Sequence, residues 1–181
     1  MSDVGRYPDE LAHTVTTTDG VAVSIRAIRP ADAERLIAFY DRLSDQTAYQ
    51  RFFTVMKRLP PDWARMLANV DYVSRLALVA EVDTPGGPEL VAVARYEPTA
   101  RPDTAEVAFV VQDAWQNKGL GTVLLHDLLR AAHARGLRRF SAYVLAGNRR
   151  MLDLITRFTT VVERKLESGV VEATFTAEGT G

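Results

Sequence analysis

One carboxylate and two glycines carry the chemistry that can be read from this 181-residue chain. The carboxylate is Glu106, set into Ala105-Glu106-Val107-Ala108-Phe109-Val110-Val111, a run that is β-branched, apolar and of strand length. Alternation puts Glu106 on one strand face with Ala108 and Val110. Small apolar neighbours raise the pKa of such a carboxyl wherever water is excluded, which suits it to act as a general base. After a polar break at Gln112-Asp113-Ala114-Trp115, the glycines follow in Gln116-Asn117-Lys118-Gly119-Leu120-Gly121, which runs into a helical segment. Strand, glycine loop and helix together aim unpaired backbone N–H groups at an anion. The glycines permit close approach, and the helix N-terminus adds partial positive charge. The spacing is not the G-x-x-x-x-G-K-[ST] of a P-loop, and the third glycine of a dinucleotide fingerprint is missing.

Gln116, Gly119 and Gly121 instead match Q/R-x-x-G-x-G/A, and the stretch resembles the pyrophosphate-binding signature of the GNAT superfamily of acetyl-CoA-dependent N-acyltransferases. The resemblance implies that main-chain N–H groups from Asn117 through Lys118, Gly119, Leu120 and Gly121 to Thr122 take the pyrophosphate of acetyl-CoA; the Lys118 side chain either adds charge there or is simply solvated. It implies that the main chain of Val110 and Val111 pairs with the pantetheine arm like an added strand. A bulge is expected to splay the sheet there, with a strand amide polarising the thioester carbonyl. Asn148 fits a helix N-cap by type and, by resemblance, a contact to the pantetheine and sulfur end.

A lysine amine with pKa ~10.4 needs a base or a water relay before it can attack. Glu106 is the candidate, and Glu81 is a weaker second at its strand end. The competing reading of Glu106 is a solvated strand-end residue, or one paired with Arg95 or Arg101. The chain departs from the family where many relatives carry N-x-x-A-x-x-x-Y followed by Gly-Phe. Here Ile155 occupies the tyrosine position and Thr159-Thr160 replace Gly-Phe, so no general acid is assigned; Tyr143 is the substitute considered.

Ser44-Asp45-Gln46-Thr47-Ala48-Tyr49-Gln50-Arg51-Phe52-Phe53 resembles L-S-x-x-[ST]-x-Y-x-R-F-F of the bacterial protein lysine acetyltransferase (Pat) branch. Asp71-Tyr72, Val91 to Tyr96 and Ala105 to Phe109 match that branch too, and the resemblance runs from about Val23 to Phe158. It implies Glu106 as base and a protein substrate with a reactive lysine, such as an acyl-CoA synthetase. Relatives of this branch often carry a second regulatory or synthetase-like domain, and no such segment is found in these residues. Two alternatives stand beside this reading: a small-molecule amine acetyltransferase, and a catalytically quiet acyl-CoA-binding sensor module.

The elements that must position these residues follow from periodicity. Residues 1–20 read as a loosely ordered lead-in, 21–176 as the acetyltransferase domain and 177–181 as a tail. Val21 to Ile28 reads as a strand. Helices are expected over Ala31 to Leu43, after Ser44, and from Pro60 to Asn69 with Trp63, Met66 and Leu67 as its apolar residues. Leu76 to Val82 and Leu90 to Tyr96 flank a Pro/Gly turn and make a hairpin. Leu124, Leu125, Leu128, Leu129 and Ala132 form the stripe of a long helix stopped by Gly136. Arg139 to Leu145 is a strand, Asn148 to Phe158 a helix, and Val161 to Leu166 with Val170 to Phe175 a closing hairpin. That order is the order of the GNAT fold: α/β, with a mixed, mostly antiparallel sheet splayed at its centre and flanked by helices.

Composition bounds the remaining classes. With 47% hydrophobic and 25% charged residues and a net charge of −1, nothing favours a nucleic-acid partner. The chain has no cysteine, so disulfides, thiolate metal sites and an acyl-cysteine intermediate are excluded. His126 and His133 fall on the solvated face of the long helix, so no metal is expected. There is no membrane-length apolar run or signal-peptide pattern, which makes the cytoplasm the expected location.

Overall fold

In a computed structural model, which describes residues 5–177, the alternating runs form one eight-stranded sheet in the order β1-β2-β3-β4-β5-β6-β8-β7. The strands are β1 (His13–Thr16), β2 (Ala22–Ala27), β3 (Leu76–Thr84), β4 (Gly87–Pro98), β5 (Thr104–Val111), β6 (Arg139–Leu145), β7 (Thr159–Glu167) and β8 (Val170–Ala177). All neighbours are antiparallel except β5 and β6. The helices are α1 (Ala33–Asp41), α2 (Asp45–Phe52), α3 (Pro61–Ala68), α4 (Leu120–Ala134) and α5 (Arg149–Phe158). The expected α/β sheet is therefore present, with β4 buried from Leu90 to Tyr96 and both α1 and α4 packed on it.

Local chemistry explains most boundaries. Ser44 accepts a hydrogen bond from the Thr47 N–H at 3.2 Å and opens α2. Asn148 Oδ1 accepts from the Met151 N–H at 3.4 Å and opens α5. Gly136, at φ +88°, closes α4 as the Leu137 N–H turns back to Ala132 O. The five predicted stripe residues of α4 are all buried. In α3 the inward residues are Ala64, Leu67 and Ala68, while Trp63 and Met66 are 43% and 52% exposed.

Two expectations give way. The loosely ordered lead-in over residues 1–20 contains strand β1, paired with β2 from His13↔Ile25 to Thr16↔Ala22. Its short, polar, β-branched residues suit an edge strand, which needs only one apolar contact face. The proposed tail begins inside β8, since Ala177 still pairs with Thr159; residues 178–181, and 1–4 at the other end, lie outside the described residues.

Candidate active site

The pairing of β5 with β6 ends early. Thr104, Ala105 and Glu106 pair in parallel with Arg139, Phe140 and Ser141, and beyond them the two strands part. Glu106 therefore stands at the apex of the gap. No bulge in β5 produces it: the β4–β5 register runs unshifted from Pro98↔Ala105 to Ala92↔Val111. On its other edge β6 stays paired with β8, from Phe140↔Phe175 to Leu145↔Val170, so only the β5 side of it opens.

Main-chain parity decides which groups face the gap. The Gln112 N–H donates to Val91 O on the β4 side at 2.9 Å, while Asp103 O accepts from the Arg139 N–H on the β6 side at 3.2 Å. Alternation then turns the main chain of Val107, Phe109 and Val111 towards the gap and that of Val110 towards β4. Val110 lines the groove, but its main chain faces β4 and not the gap, contrary to its expected part in pairing with an added strand; the main chain of Phe109 and Val111 faces the gap.

A groove of about 400 Å³ runs from this gap to the start of α4. Of the residues expected to hold the cofactor, Val110, Val111, Gln116, Asn117, Gly119, Gly121, Thr122 and Asn148 line it. Lys118 and Leu120 do not. The Leu120 side chain is 2% exposed and packs in the core, while its N–H, the group expected to bind, belongs to the first turn of α4. The Lys118 ammonium turns away to Asp19, at 2.6 Å. Asn117 and Gly119 hold left-handed backbone, at φ +61° and +88°, so the loop curls tightly before α4. Gln116 Nε2 donates to Val111 O at 3.0 Å and ties that loop to the end of β5. The first-turn N–H groups of α4 have no intrahelical acceptor and are available to an anion.

Sequence reasoning missed Trp115, Arg150, Met151, Leu154, Arg157 and Phe158, which also line the groove. A signal was present, since Arg150, Leu154 and Arg157 share one face of α5 by helical spacing. It pointed to a face of α5 without saying what that face meets.

The Glu106 carboxylate has no ion pair or hydrogen bond among the described residues. Arg95, a candidate partner, instead contacts Glu97 Oε1 at 3.1 Å and donates to Leu67 O at 2.6 Å. Arg101 is exposed on the loop before β5. Burial pushes the Glu106 carboxyl above the ordinary glutamate range; the Arg51 guanidinium pulls it back, and Glu97 and Glu172 add to the rise. The second candidate, Glu81, sits within β3 and is claimed by Arg26 at 2.9 Å and Arg35 at 3.0 Å. Those guanidiniums keep it from serving as a free base, and it lies two strands from the gap.

Ile155 is 1% exposed and belongs to the core, so its position supplies no proton donor. Tyr143 lies on β6, two residues past Ser141 and so on the same face as Glu106. Modest burial pushes its phenol up, as do the Glu172 and Glu106 charges, so it stays protonated near neutral pH. Phe52 packs between Tyr40 and Trp63, with centroids at 5.2 and 6.0 Å, which accounts for it structurally. Tyr49 is 42% exposed and is not explained by packing.

A splayed mixed sheet, an unpaired carboxylate at its apex and a groove ending on a glycine loop define an acyl-transfer architecture. Residues 45–159 match the Acetyltransferase (GNAT) family, and the chain belongs to that family. Among its relatives is Acetyltransferase PA5475 of Pseudomonas aeruginosa, 35% identical over 75% of this chain and 73% of that protein. Acetyltransferase Pat of Mycolicibacterium smegmatis is 34% identical over 81% of this chain, a match that spans only 43% of that longer protein. Among solved structures, the GNAT domain of S. lividans PAT superposes with a TM-score of 0.84 at 38% identity, covering 94% of this chain and 99% of that one.

Proposed function

We propose that this chain transfers acetyl from acetyl-CoA to the ε-amine of a lysine on a protein substrate, with Glu106 as the general base. The observation that carries the proposal is the placement of Glu106: last residue of β5 to pair with β6, at the apex of the gap between them though not in the groove wall itself, without an ion pair among the described residues and raised in pKa. An incoming ammonium gives one proton to Glu106, the neutral nitrogen bonds to the thioester carbon, and as the carbon–sulfur bond breaks the nitrogen sheds its second proton to solvent, leaving the amide and the CoA thiolate. A thiol of pKa ~8.5 leaves as thiolate without needing an acid, which fits Ile155 at the usual tyrosine position.

The groove suits the donor. Main-chain groups of Phe109 and Val111 meet an extended arm, and the first turn of α4 meets a pyrophosphate. Arg150 and Arg157 add positive charge along the wall. A related fold, YncA of Salmonella typhimurium, is described with its cofactor acetyl-CoA. The protein-lysine substrate rests on similarity to the Pat proteins and on the exposed Tyr49, two residues before Arg51, whose guanidinium acts on Glu106. Metabolic enzymes such as acyl-CoA synthetases, in the cytoplasm, are the proposed targets.

The test is thiol release from acetyl-CoA with candidate synthetases and small amines, followed by mass spectrometry of the proteins. The expected outcome is acetylation of one active-site lysine with loss of synthetase activity. Fast acetylation of small amines with no modified protein would replace the protein substrate by a small one. Cofactor binding without any turnover would leave a sensor module.

A further inference from the structure

The only cationic side chain of the glycine loop is spoken for. Lys118 stands between Asn117 and Gly119, both in the groove wall, yet its ammonium lies 2.6 Å from Asp19 Oδ2 and 5.2 Å from the centre of the Trp115 ring. Asp19 belongs to the β1–β2 turn, 99 residues away in sequence. That turn is docked on the loop, because the Thr18 N–H donates to Lys118 O at 3.2 Å. Asp19 is itself held, since the Thr17 hydroxyl donates to Oδ1 at 2.5 Å and accepts from the Val21 N–H at 3.0 Å. A second tie joins the same hairpin to α4: His13 Nε2 lies 2.6 Å from Asp127 Oδ2.

Left free, a lysine on this loop would reach towards an anion held at the α4 N-terminus. Such a contact would add affinity that does not change during reaction, because the phosphates of CoA are the same before and after acyl transfer. Uniform binding of this kind raises no catalytic rate and slows product departure, a step that limits many enzymes. Withholding the lysine avoids that penalty.

We propose that Asp19 is a positioning residue that holds the Lys118 ammonium off the CoA pyrophosphate, and so weakens CoA binding to favour product release. The inference rests on the acetyl-CoA reading of the groove. Asp19 therefore acts on the cofactor through Lys118, and the β1–β2 turn becomes part of the cofactor site.

The test compares the full chain with Asp19→Asn, which keeps an oxygen for the Thr17 hydroxyl and loses the charge. Calorimetry with CoA at low salt should show binding tightened about two- to fivefold, the scale of one partly exposed ion pair, and the gain should shrink as salt rises. The value of kcat should fall when product release limits turnover. With acetyl-pantetheine, which lacks the phosphates, Asp19→Asn should match the parent. In a Lys118→Ala background the same substitution should change CoA affinity little. Asp19→Ser, checked for folding by thermal melting, provides a second variant and should act in the same direction. Unchanged or weaker CoA binding in Asp19→Asn overturns the proposal, as does an equal gain with acetyl-pantetheine or without Lys118. Failure of the parent chain itself to bind CoA is a different result, which removes the acetyl-CoA reading and this inference together.

Discussion

Glu106 and Ser141 are the last residues at which β5 and β6 pair, so the unpaired carboxylate stands where the sheet opens. Placement there makes it half-buried while leaving a substrate able to approach. Both features come from one event, the end of β5–β6 pairing at Glu106↔Ser141.

If Glu106 takes the proton, Glu106→Gln keeps its shape but cannot act as base. The catalytic rate should fall by about 10²–10⁴, while acetyl-CoA affinity by calorimetry stays close to parental. Part of the lost rate should return at high pH, where more of the acceptor amine is already neutral. Turnover near the parental rate with the same pH profile would reduce Glu106 to a structural residue and leave the proton to a water relay.

The same substitution should stabilise the fold. Burial raises the folded-state pKa of Glu106 above its unfolded value, so the native state holds the extra proton between the two. Stability therefore declines as pH rises through that window, and the cost is fully present above the folded pKa. Glu106→Gln should melt higher than the parent at pH 7.5, with the advantage vanishing below about pH 4, near the unfolded glutamate value. A lower melting temperature for the variant at pH 7.5 would contradict the burial argument.

Gly119 has φ +88°, where a side chain is strained by about 1–2 kcal/mol. Gly119→Val should therefore weaken CoA binding about tenfold or more, and Lys118→Ala by much less, since Lys118 is turned away from the groove. A Cβ at Gly121 would lie 3.5 Å from Leu154 Cδ2, an ordinary contact, so Gly121→Ala should be milder than Gly121→Val, which adds bulk inside the groove. Titration calorimetry that ranks Lys118→Ala as the most damaging would dislodge the pyrophosphate from this loop.

Asp32 accepts from both terminal nitrogens of Arg26, at 2.8 and 2.9 Å, and from the Arg29 N–H at 2.7 Å. Burial opposes its charge, but these donors win and hold its pKa below the usual carboxylate range. The stabilisation is present above the unfolded aspartate pKa and is lost as pH falls through the lowered folded value. Asp32→Asn leaves a buried guanidinium half-paired and should cost about 3 kcal/mol in urea unfolding, without altering CoA affinity. Parental stability would mean that Glu81 alone suffices for Arg26.

Much of the site was written in local patterns. The apolar run around Glu106 makes a strand by its β-branched residues, and period-2 alternation fixes which neighbours share its face. Asn148 and Ser44 open helices because their side chains reach N–H groups three residues ahead, a contact that needs no distant partner. Gly119 marks a left-handed turn by its own conformational freedom, and the stripe of α4 repeats with the helix itself. Each of these rests on interactions within a few residues.

The tertiary structure decided the rest, because alternation says which face a side chain occupies and not which strand lies beside it. The end of β5–β6 pairing opens the gap, while a hairpin at the far end of the chain holds the other edge of β6 in the sheet. Parity of the β4–β5 ladder hands the gap to Phe109 and Val111 rather than Val110. Lys118 reads in sequence as a charge for the phosphate or as a solvated lysine, yet a β1–β2 turn distant in sequence claims its ammonium. Glu81 and Glu106 are alike as isolated strand carboxylates. Arg26 and Arg35 pair with the first, and among the described residues no cation forms an ion pair with the second, a difference made only when the sheet is assembled.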